Sequence, residues 1–309
     1  MNKNNLLIVD DLHPFFMQEA KKMGYKCDYE PLFTKEQTLA VIANYKGLVI
    51  RTKFRIDQQI IDAASELKFI FRAGAGMDNI DEVYAKSKNI HCLNAPEGNC
   101  DAVAEHALGM LLALMNSMRK ADLEIRQGEW NREANRGWEL TGKTVAIIGY
   151  GHMGQSFAQK LSGLGVKVIA YDKYKTDFSS TIVAEVSMEQ VVKQADVLSF
   201  HIPLTKETRH LVNDEYLLHF KKPIFLLNTA RGEIIQVPTL LKAIQTGKIL
   251  GAGLDVLETE GFPALFKENW YKELVNNQQV LLSPHVAGWT FESYRKISEV
   301  LVNKLRMLS

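Results

Sequence analysis

Thr144-Val145-Ala146-Ile147-Ile148-Gly149-Tyr150-Gly151-His152-Met153-Gly154 is the stretch on which the reading of the chain turns. Its first five residues form an apolar run with no polar side, the pattern of a strand buried on both faces in a parallel sheet. The run ends in Gly149-x-Gly151-x-x-Gly154, after which Phe157, Ala158, Leu161 and Leu164 recur at helical spacing. A second apolar run, Val166 to Tyr171, closes on Asp172, 18 residues past Gly154. Strand, glycine turn, helix, strand and acid, in that order, describe a dinucleotide-binding βαβ unit. Gly149 permits the tight turn, Gly151 lets the backbone approach a pyrophosphate, and Gly154 lets the helix pack close to the strand. The helix N-terminus then offers free N–H groups and partial positive charge to the phosphates. Asp172 stands where a carboxylate accepts the hydroxyls of an adenosine ribose and repels a 2′-phosphate, which favours NAD over NADP. Lys173 and Lys175 follow directly and soften that discrimination.

The chain's 309 residues, 46% of them hydrophobic, suffice for two domains. Its 37 basic and 36 acidic residues form no block of either sign, which argues against nucleic acid or a membrane surface as partner. The polar start, Asn2 to Asn5, leads into a strand and not into a signal segment. The most apolar helix candidate, about Ala102 to Met118, carries Glu105, His106 and Asn116 and is too short and too polar to span a bilayer. Cys27, Cys92 and Cys100 are scattered without a CxxC, which fits a reducing cytoplasm. The adjacent pair His91-Cys92 is not metal-ligand spacing, so no metal is expected.

Upstream of the glycine motif, Leu6 to Asp10, Gly47 to Arg51 and Lys68 to Arg72 read as strands, with a further short one near Tyr25 to Tyr29. Helices are predicted between them over 13–23, 34–44 (capped by Thr34, with Gln37 three residues on) and 56–65. This alternation makes an α/β domain of its own. Arg72-Ala73-Gly74-Ala75-Gly76-Met77-Asp78 is a loop of small residues, suited either to a tight turn or to a nest of N–H groups for a carboxylate. The Pro96 region reads as a domain boundary, and one long helix is predicted from about Cys100 to Lys120. Trp130 and Trp138 lie in a polar excursion beyond it, a candidate subunit contact.

Downstream, strands are predicted at Val197–His201, Ile224–Asn228, Gly251–Val256 and Val280–Leu282. Functional residues of open α/β sheets gather just past the carboxyl ends of strands. Arg231, Glu260 and His285 lie there. Singly they read as a surface ion pair, a solvated loop acid and an interior histidine. Together they supply what nicotinamide redox chemistry needs. A histidine exchanges a proton with a hydroxyl near neutral pH. A carboxylate behind it fixes the tautomer and favours the imidazolium. An arginine grips a planar carboxylate with two parallel hydrogen bonds.

With these residues in place, the chain resembles the D-isomer-specific 2-hydroxyacid dehydrogenases, and among them most the phosphoglycerate dehydrogenases. The matching stretches are Arg72 to Asp81, Gly142 to Gly154, Asn228-Thr229-Ala230-Arg231-Gly232, Gly251 to Val256 and Ser283-Pro284-His285, in the family's order and spacing. The resemblance implies an α/β fold of two Rossmann-like domains with doubly wound parallel sheets. The substrate domain is discontinuous, 1–97 plus 284–309, and the NAD domain takes 98–283, with a cleft between them that closes on substrate. It implies His285 as acid/base, Glu260 as its carboxylate partner, and Arg231 as the group that binds the substrate carboxylate and polarises the carbonyl. It places NAD on the glycine loop with His152 and Met153, on Asp172, the Ile202-Pro203 turn, Thr229-Ala230, Asp255 and the Ala287-Gly288 backbone. The substrate carboxylate falls to the loop at Gly74 and Ala75. A homodimer formed through the nucleotide domains is implied as well.

Three positions depart from the family pattern. Leu257 replaces a common aromatic, Gly261-Phe262-Pro263 follows Glu260 where a proline is usual, and Trp289 follows Gly288 where small residues are usual. None removes a catalytic group. The chain stops soon after its last predicted helix, so serine feedback through a C-terminal regulatory domain is not expected. Arg51 and Arg72, at the ends of substrate-domain strands, match arginines that meet the substrate's phosphate in phosphoglycerate dehydrogenases, and two guanidinium groups suit a phosphate better than a methyl. The expected substrate is therefore D-3-phosphoglycerate, at the entry to serine biosynthesis, with glyoxylate, hydroxypyruvate or another 2-keto acid as the alternative. A nucleotide-sensing, non-enzymatic interaction protein on the same fold is the remaining reading.

Overall fold

In the computed structural model, which describes residues 4–308, the chain opens with β1 (Asn5–Ile8), whose Leu6, Leu7 and Ile8 are fully buried. A strand without an exposed side chain needs cover on both faces, and the helices that follow supply it. They alternate with strands: α1 (Pro14–Lys22), β2 (Lys26–Tyr29), α2 (Lys35–Val41), β3 (Gly47–Ile50), α3 (Gln58–Ala63), β4 (Phe69–Arg72), α4 (Glu82–Ser87) and β5 (His91–Leu93). The Thr34–Gln37 capping box that starts α2 is formed, and its last turn tightens to a 3-10 turn over Ile42–Asn44. The five strands are parallel in the order β2-β1-β3-β4-β5. One apolar cluster packs around Phe16, Phe69 and Phe71 and another around Ile42, Ile56 and Ile60. Register pairs Ile50 with Arg72, so Arg51 and Arg72 leave the carboxyl ends of neighbouring strands.

The next elements are α5 (Cys100–Met115) and α6 (Met118–Arg126). The single helix expected here is broken, because Ser117 takes a left-handed φ of 52°. Asn116 and Ser117 supply the small polar side chains that tolerate such a break, and the Asn116 amide turns back to donate to the Leu112 carbonyl at 3.0 Å. The chain then runs β6 (Thr144–Ile148), α7 (His152–Leu161), β7 (Lys167–Tyr171), β8 (Ala184–Glu185), α8 (Met188–Gln194), β9 (Val197–Phe200) and α9 (Asp214–Leu218). It continues through β10 (Ile224–Asn228), α10 (Val237–Gln245), β11 (Ile249–Leu254), α11 (Tyr271–Asn276) and β12 (Val280–Leu282). These seven strands are parallel in the order β12-β11-β10-β9-β6-β7-β8. The order reverses between β6 and β9, and the glycine turn sits at that switch, where open α/β sheets bind ligands.

α12 (Phe291–Leu308) returns the chain to the first sheet's side, against α1 and the Pro96–Gly98 turn. A Cβ on Gly98 would lie 2.6 Å from the Ile297 Cα, so only glycine fits there. The chain thus forms two compact units. One draws on the residues up to Cys100 and again from Trp289 onward, and the other is Asp101–Gly288. The fold is α/β with two parallel sheets covered by helices, as the alternating pattern predicts.

Candidate active site

The glycine turn of the second unit shows why each glycine is there. Gly149 has φ +92°, and a Cβ on it would lie 2.5 Å from the His201 carbonyl oxygen. A Cβ on Gly154 would lie 2.1 Å from the Gly149 carbonyl oxygen, so α7 can approach β6 this closely only with glycine. Gly151 differs, since its Cβ would meet nothing within 4 Å. The protein's own packing does not require glycine at 151, and the open space there is a cradle that a side chain would fill. Gly151 is also the N-cap of α7 and brings no side chain to its first N–H groups, which are left for an anion. His152 is exposed and Met153 half-buried beside it.

Asp172 directly follows β7 and reaches back to this turn. One carboxylate oxygen accepts the Tyr150 N–H at 2.7 Å, and the other accepts those of Tyr174 and Lys175 at 2.9 and 3.0 Å. The acid is thereby fixed in orientation while keeping lone pairs for further donors. Lys175 donates its Nζ to the Tyr150 carbonyl at 3.1 Å, so its charge is held at the turn. Ile202 lies directly over Gly149, its methyl 2.7 Å from where a Cβ would stand, and Pro203 beyond it is exposed.

The turn after β10 is closed by Asn228, which is fully buried. Its oxygen accepts the Ala230 N–H at 3.0 Å, and its amide donates to the Arg231 carbonyl at 2.8 Å. Thr229 lies inside this turn with a buried hydroxyl that has no partner among the described residues. A Cβ on Gly232 would lie 1.8 Å from the Leu257 carbonyl oxygen. The turn carrying Arg231 is therefore seated directly on the segment leading to Glu260. Two glutamates follow Leu257, and they do different work. Glu258 accepts the first N–H of α10, from Val237, at 2.8 Å and lies 3.1 Å from the His210 ring. Glu260 faces the histidine.

His285 follows β12 with φ +55°, a conformation rare for a residue with a side chain. Asp255, only 1% exposed, enforces it. Its carbonyl accepts the His285 N–H at 2.7 Å, and its carboxylate accepts the Ser283 hydroxyl and the Val286 and Ala287 N–H groups at 2.5, 2.9 and 2.8 Å. His106, from α5, completes the group at 2.9 Å from the Ser283 hydroxyl. Asp255 thus holds the histidine turn, and the Ala287 N–H is spent on it. Neither His106 nor Ser283 stands out in the sequence as part of this network, because its donors and acceptors lie up to 177 positions apart.

The outcome is a hydrogen bond of 2.9 Å between His285 Nδ1 and Glu260 Oε2, both side chains about half exposed. With Nδ1 committed to the carboxylate, Nε2 is the ring nitrogen that Glu260 does not engage. The hydrogen bond to Glu260 raises the His285 pKa above its ordinary value. Burial opposes this, the charges of Glu260 and Asp255 add to it, and the Arg231 charge pulls it down. Arg231, which also donates to the Ala230 carbonyl at 2.6 Å, is therefore electrostatically coupled to the pair.

In the first unit, Gly74 has φ +146°, and a Cβ there would lie 1.7 Å from a guanidinium nitrogen of Arg72. Arg72 is folded over this loop. The Gly74 N–H is used on the Arg72 carbonyl at 2.9 Å, and the Gly74 carbonyl accepts the Ala95 N–H at 2.7 Å. Ala75 and Gly76 are half-buried, and Asn94 donates to the Ala75 carbonyl at 2.5 Å. The donors this loop can offer an anion thus belong to Ala75 and the residue after it, one position later than Gly74-Ala75. Arg51 is pinned at both backbone ends, its N–H on Asp10 and its carbonyl accepting the Asn79 amide, each at 3.0 Å.

These features belong to a known family. Residues 108–287 match the D-isomer specific 2-hydroxyacid dehydrogenase NAD-binding domain. The chain is 36% identical to the hydroxypyruvate reductase of Thermotoga maritima, over 88% of this chain and 87% of that one. It is 32% identical to the D-3-phosphoglycerate dehydrogenase of Methanocaldococcus jannaschii, over 97% of this chain but only 56% of that longer one. Among solved structures, the D-lactate dehydrogenase of Aquifex aeolicus, complexed with NAD and lactic acid, superposes with a TM-score of 0.85 at 26% identity, covering 99% of this chain and 95% of that one. The chain belongs to the D-isomer-specific 2-hydroxyacid dehydrogenases. Its cofactor is NAD, as the glycine turn and Asp172 predict, and it is an oxidoreductase of that family.

Proposed function

We propose that the protein interconverts a D-2-hydroxy acid and its 2-keto acid, with His285, Glu260 and Arg231 as the working groups. The observation that carries this reading is the 2.9 Å His285–Glu260 pair, held on the same sheet edge as the glycine turn. NAD would lie along Gly149–Gly154, with the ribose at Asp172 and with the Ile202-Pro203 turn, Ala230 and Gly288 beside it. The lone Thr229 hydroxyl is a ready donor on that path. Bound there, the nicotinamide accepts or supplies a hydride at the acid's C2. His285 Nε2 takes the hydroxyl proton in oxidation and returns it in reduction. Glu260 holds the ring and stabilises its charged form. Arg231 clamps the substrate carboxylate and draws electron density from the C2 oxygen. We also read the loop after β4, at Gly74 and Ala75, as a nest of N–H groups for an anion.

For the substrate, 3-phosphoglycerate is our first assignment, because Arg51 and Arg72 leave adjacent strands at one sheet edge. This would make the protein the entry enzyme of serine synthesis. Hydroxypyruvate or glyoxylate is the second, favoured by the higher identity to the hydroxypyruvate reductase, 36% against 32% for the phosphoglycerate dehydrogenase. We further place the protein in the cytoplasm, in keeping with three free cysteines, and as a homodimer. The dimer reading rests on the exposed Met118, Leu123, Ile125, Trp130 and Trp138 of α6 and the excursion after it. No helix among the described residues is long and apolar enough to cross a membrane.

NADH formation from NAD with D-3-phosphoglycerate, D-glycerate, glycolate and D-lactate tests the reading, with the matching keto acids and NADH as the reverse. Turnover with at least one pair, lost in His285→Ala while NAD still binds, is expected. Unchanged turnover in that variant refutes the mechanism, and NAD binding without turnover of any acid supports a sensor instead. A monomer by mass in solution refutes the dimer.

A further inference from the structure

Trp289, the residue that departs from the family pattern after Gly288, has its ring 3.8 Å from the Arg51 guanidinium carbon. That is stacking distance, and it places an aromatic face against the flat face of the cation. The Tyr294 ring packs edge-on to Trp289, with centroids 5.4 Å apart, and to His13 at 5.2 Å. The Tyr294 hydroxyl donates to Asp11 at 2.8 Å, and that of Tyr29 donates to the same oxygen at 3.3 Å. Behind the cation, Asp10 accepts the N–H groups of Arg51, Thr52 and Lys53 at 3.0, 3.0 and 3.1 Å. The loop backbone therefore has no donors left at these positions for an incoming anion, and the Arg51 side chain is the group that remains.

That side chain is three-quarters buried, and burial lowers its pKa. Its face is covered by Trp289, yet its N–H edge donates to no protein acceptor among the described residues. The closest carboxylate oxygen, on Asp11, is 3.9 Å away, beyond hydrogen-bond reach. A desolvated guanidinium with an ordered backbone, a covered face and an open N–H edge is prepared for a bidentate anion. Asp11 stands beside it as a competitor for that edge.

We propose that Trp289 is a positioning residue that holds Arg51 for a second anionic group at the far end of the substrate, and that Asp11 limits how strongly that group is bound. Preference for a phosphorylated over an unphosphorylated acid is then set jointly by Trp289, Arg51 and Asp11. This rests on the reading of the protein as a 2-hydroxyacid dehydrogenase whose Arg51 faces substrate.

The test uses the full chain with NAD and compares D-3-phosphoglycerate with D-glycerate, which differ only in the phosphate. The readout is the ratio of their kcat/KM values. Trp289→Leu is expected to lower the ratio about ten-fold, mostly through KM of the phosphorylated acid, the size of a partly desolvated cation–π contact. Trp289→Phe, which keeps a ring, should restore most of it. Asp11→Asn keeps an acceptor for both tyrosines but removes the competing charge, and should raise the ratio about three-fold, the scale of a half-screened charge at this distance. A general folding defect cannot produce that rise. Equal losses on both acids in Trp289→Leu, an unchanged or lowered ratio in Asp11→Asn, or a wild-type preference for D-glycerate would each overturn the assignment while leaving the dehydrogenase reading intact. No turnover of any D-2-hydroxy acid by the wild type overturns both.

Discussion

Replacing Glu260 by Gln isolates one charge in the proposed acid/base pair. Gln keeps an oxygen that accepts the Nδ1–H, so the ring stays oriented across the 2.9 Å contact while the negative charge is gone. In the native pair the hydrogen bond and charge of Glu260 raise the His285 pKa above its ordinary value. Both side chains are about half exposed, at 50% and 46%, so water screens most of the attraction. At roughly 4 Å between charge centres, unit charges interact by about 1 kcal/mol in water and about 4 kcal/mol at a protein surface of lower effective dielectric. Half exposure places the pair at the lower end, about 1–2 kcal/mol. The sign follows from the proton's direction. Reduction needs the imidazolium, so its kcat/KM falls as pH rises through the His285 pKa. Oxidation needs the neutral ring and rises over the same interval. In Glu260→Gln both limbs should move toward acid, with the reduction plateau at low pH largely kept. The assay is kcat/KM for both directions across pH, since it reports the free enzyme's ionisations. An unmoved limb, or one displaced toward alkali, would refute the assignment of Glu260 as the partner that raises this pKa.

The two kinds of glycine in the turn after β6 should separate. Gly151→Val meets open space and should fold with a melting temperature near that of the native protein, yet lose NAD affinity at least ten-fold by calorimetry. Gly154→Val collides with the Gly149 carbonyl and should unfold at markedly lower temperature. Gly232→Ala should cost activity out of proportion to stability, because it forces the Arg231 turn off Leu257. A kcat/KM within two-fold of native would discount that contact. His201, packed on Phe157 and 2.9 Å from the Ser199 hydroxyl, has its pKa pushed down by burial to about 4. A depressed histidine pKa means the unfolded chain binds the extra proton first. The unfolding free energy from denaturant titrations should therefore fall as pH drops from the ordinary histidine value toward 4, by up to about 3 kcal/mol. His201→Gln should flatten that slope.

Several features could be read without coordinates because they depend on neighbours in sequence. The glycine motif is local, since Gly149 needs its positive φ and Gly154 its closeness to a carbonyl five residues back. The capping box at Thr34 and Gln37 is equally local. Short helices escaped, since α4, α9 and α11 have six, five and six residues and carry too few apolar positions to show a period. The break between α5 and α6 also escaped, because Leu111, Leu112 and Met115 continue the helical pattern up to it.

The sequence by itself determined that two α/β units with parallel sheets would form, which turn carries the dinucleotide-binding glycine pattern, and which histidine, glutamate and arginine stand past strand ends. Strand burial, helix periodicity and glycine spacing are written along the chain, within a few residues of what they control. Tertiary structure alone decided which of Glu258 and Glu260 serves His285 and which caps a helix. It also decided that buried Asp255 holds His285 at positive φ, and that Trp289 covers Arg51. These contacts join residues tens to hundreds of positions apart, and only packing, which sets distance and burial, can fix the hydrogen bonds and charges they make.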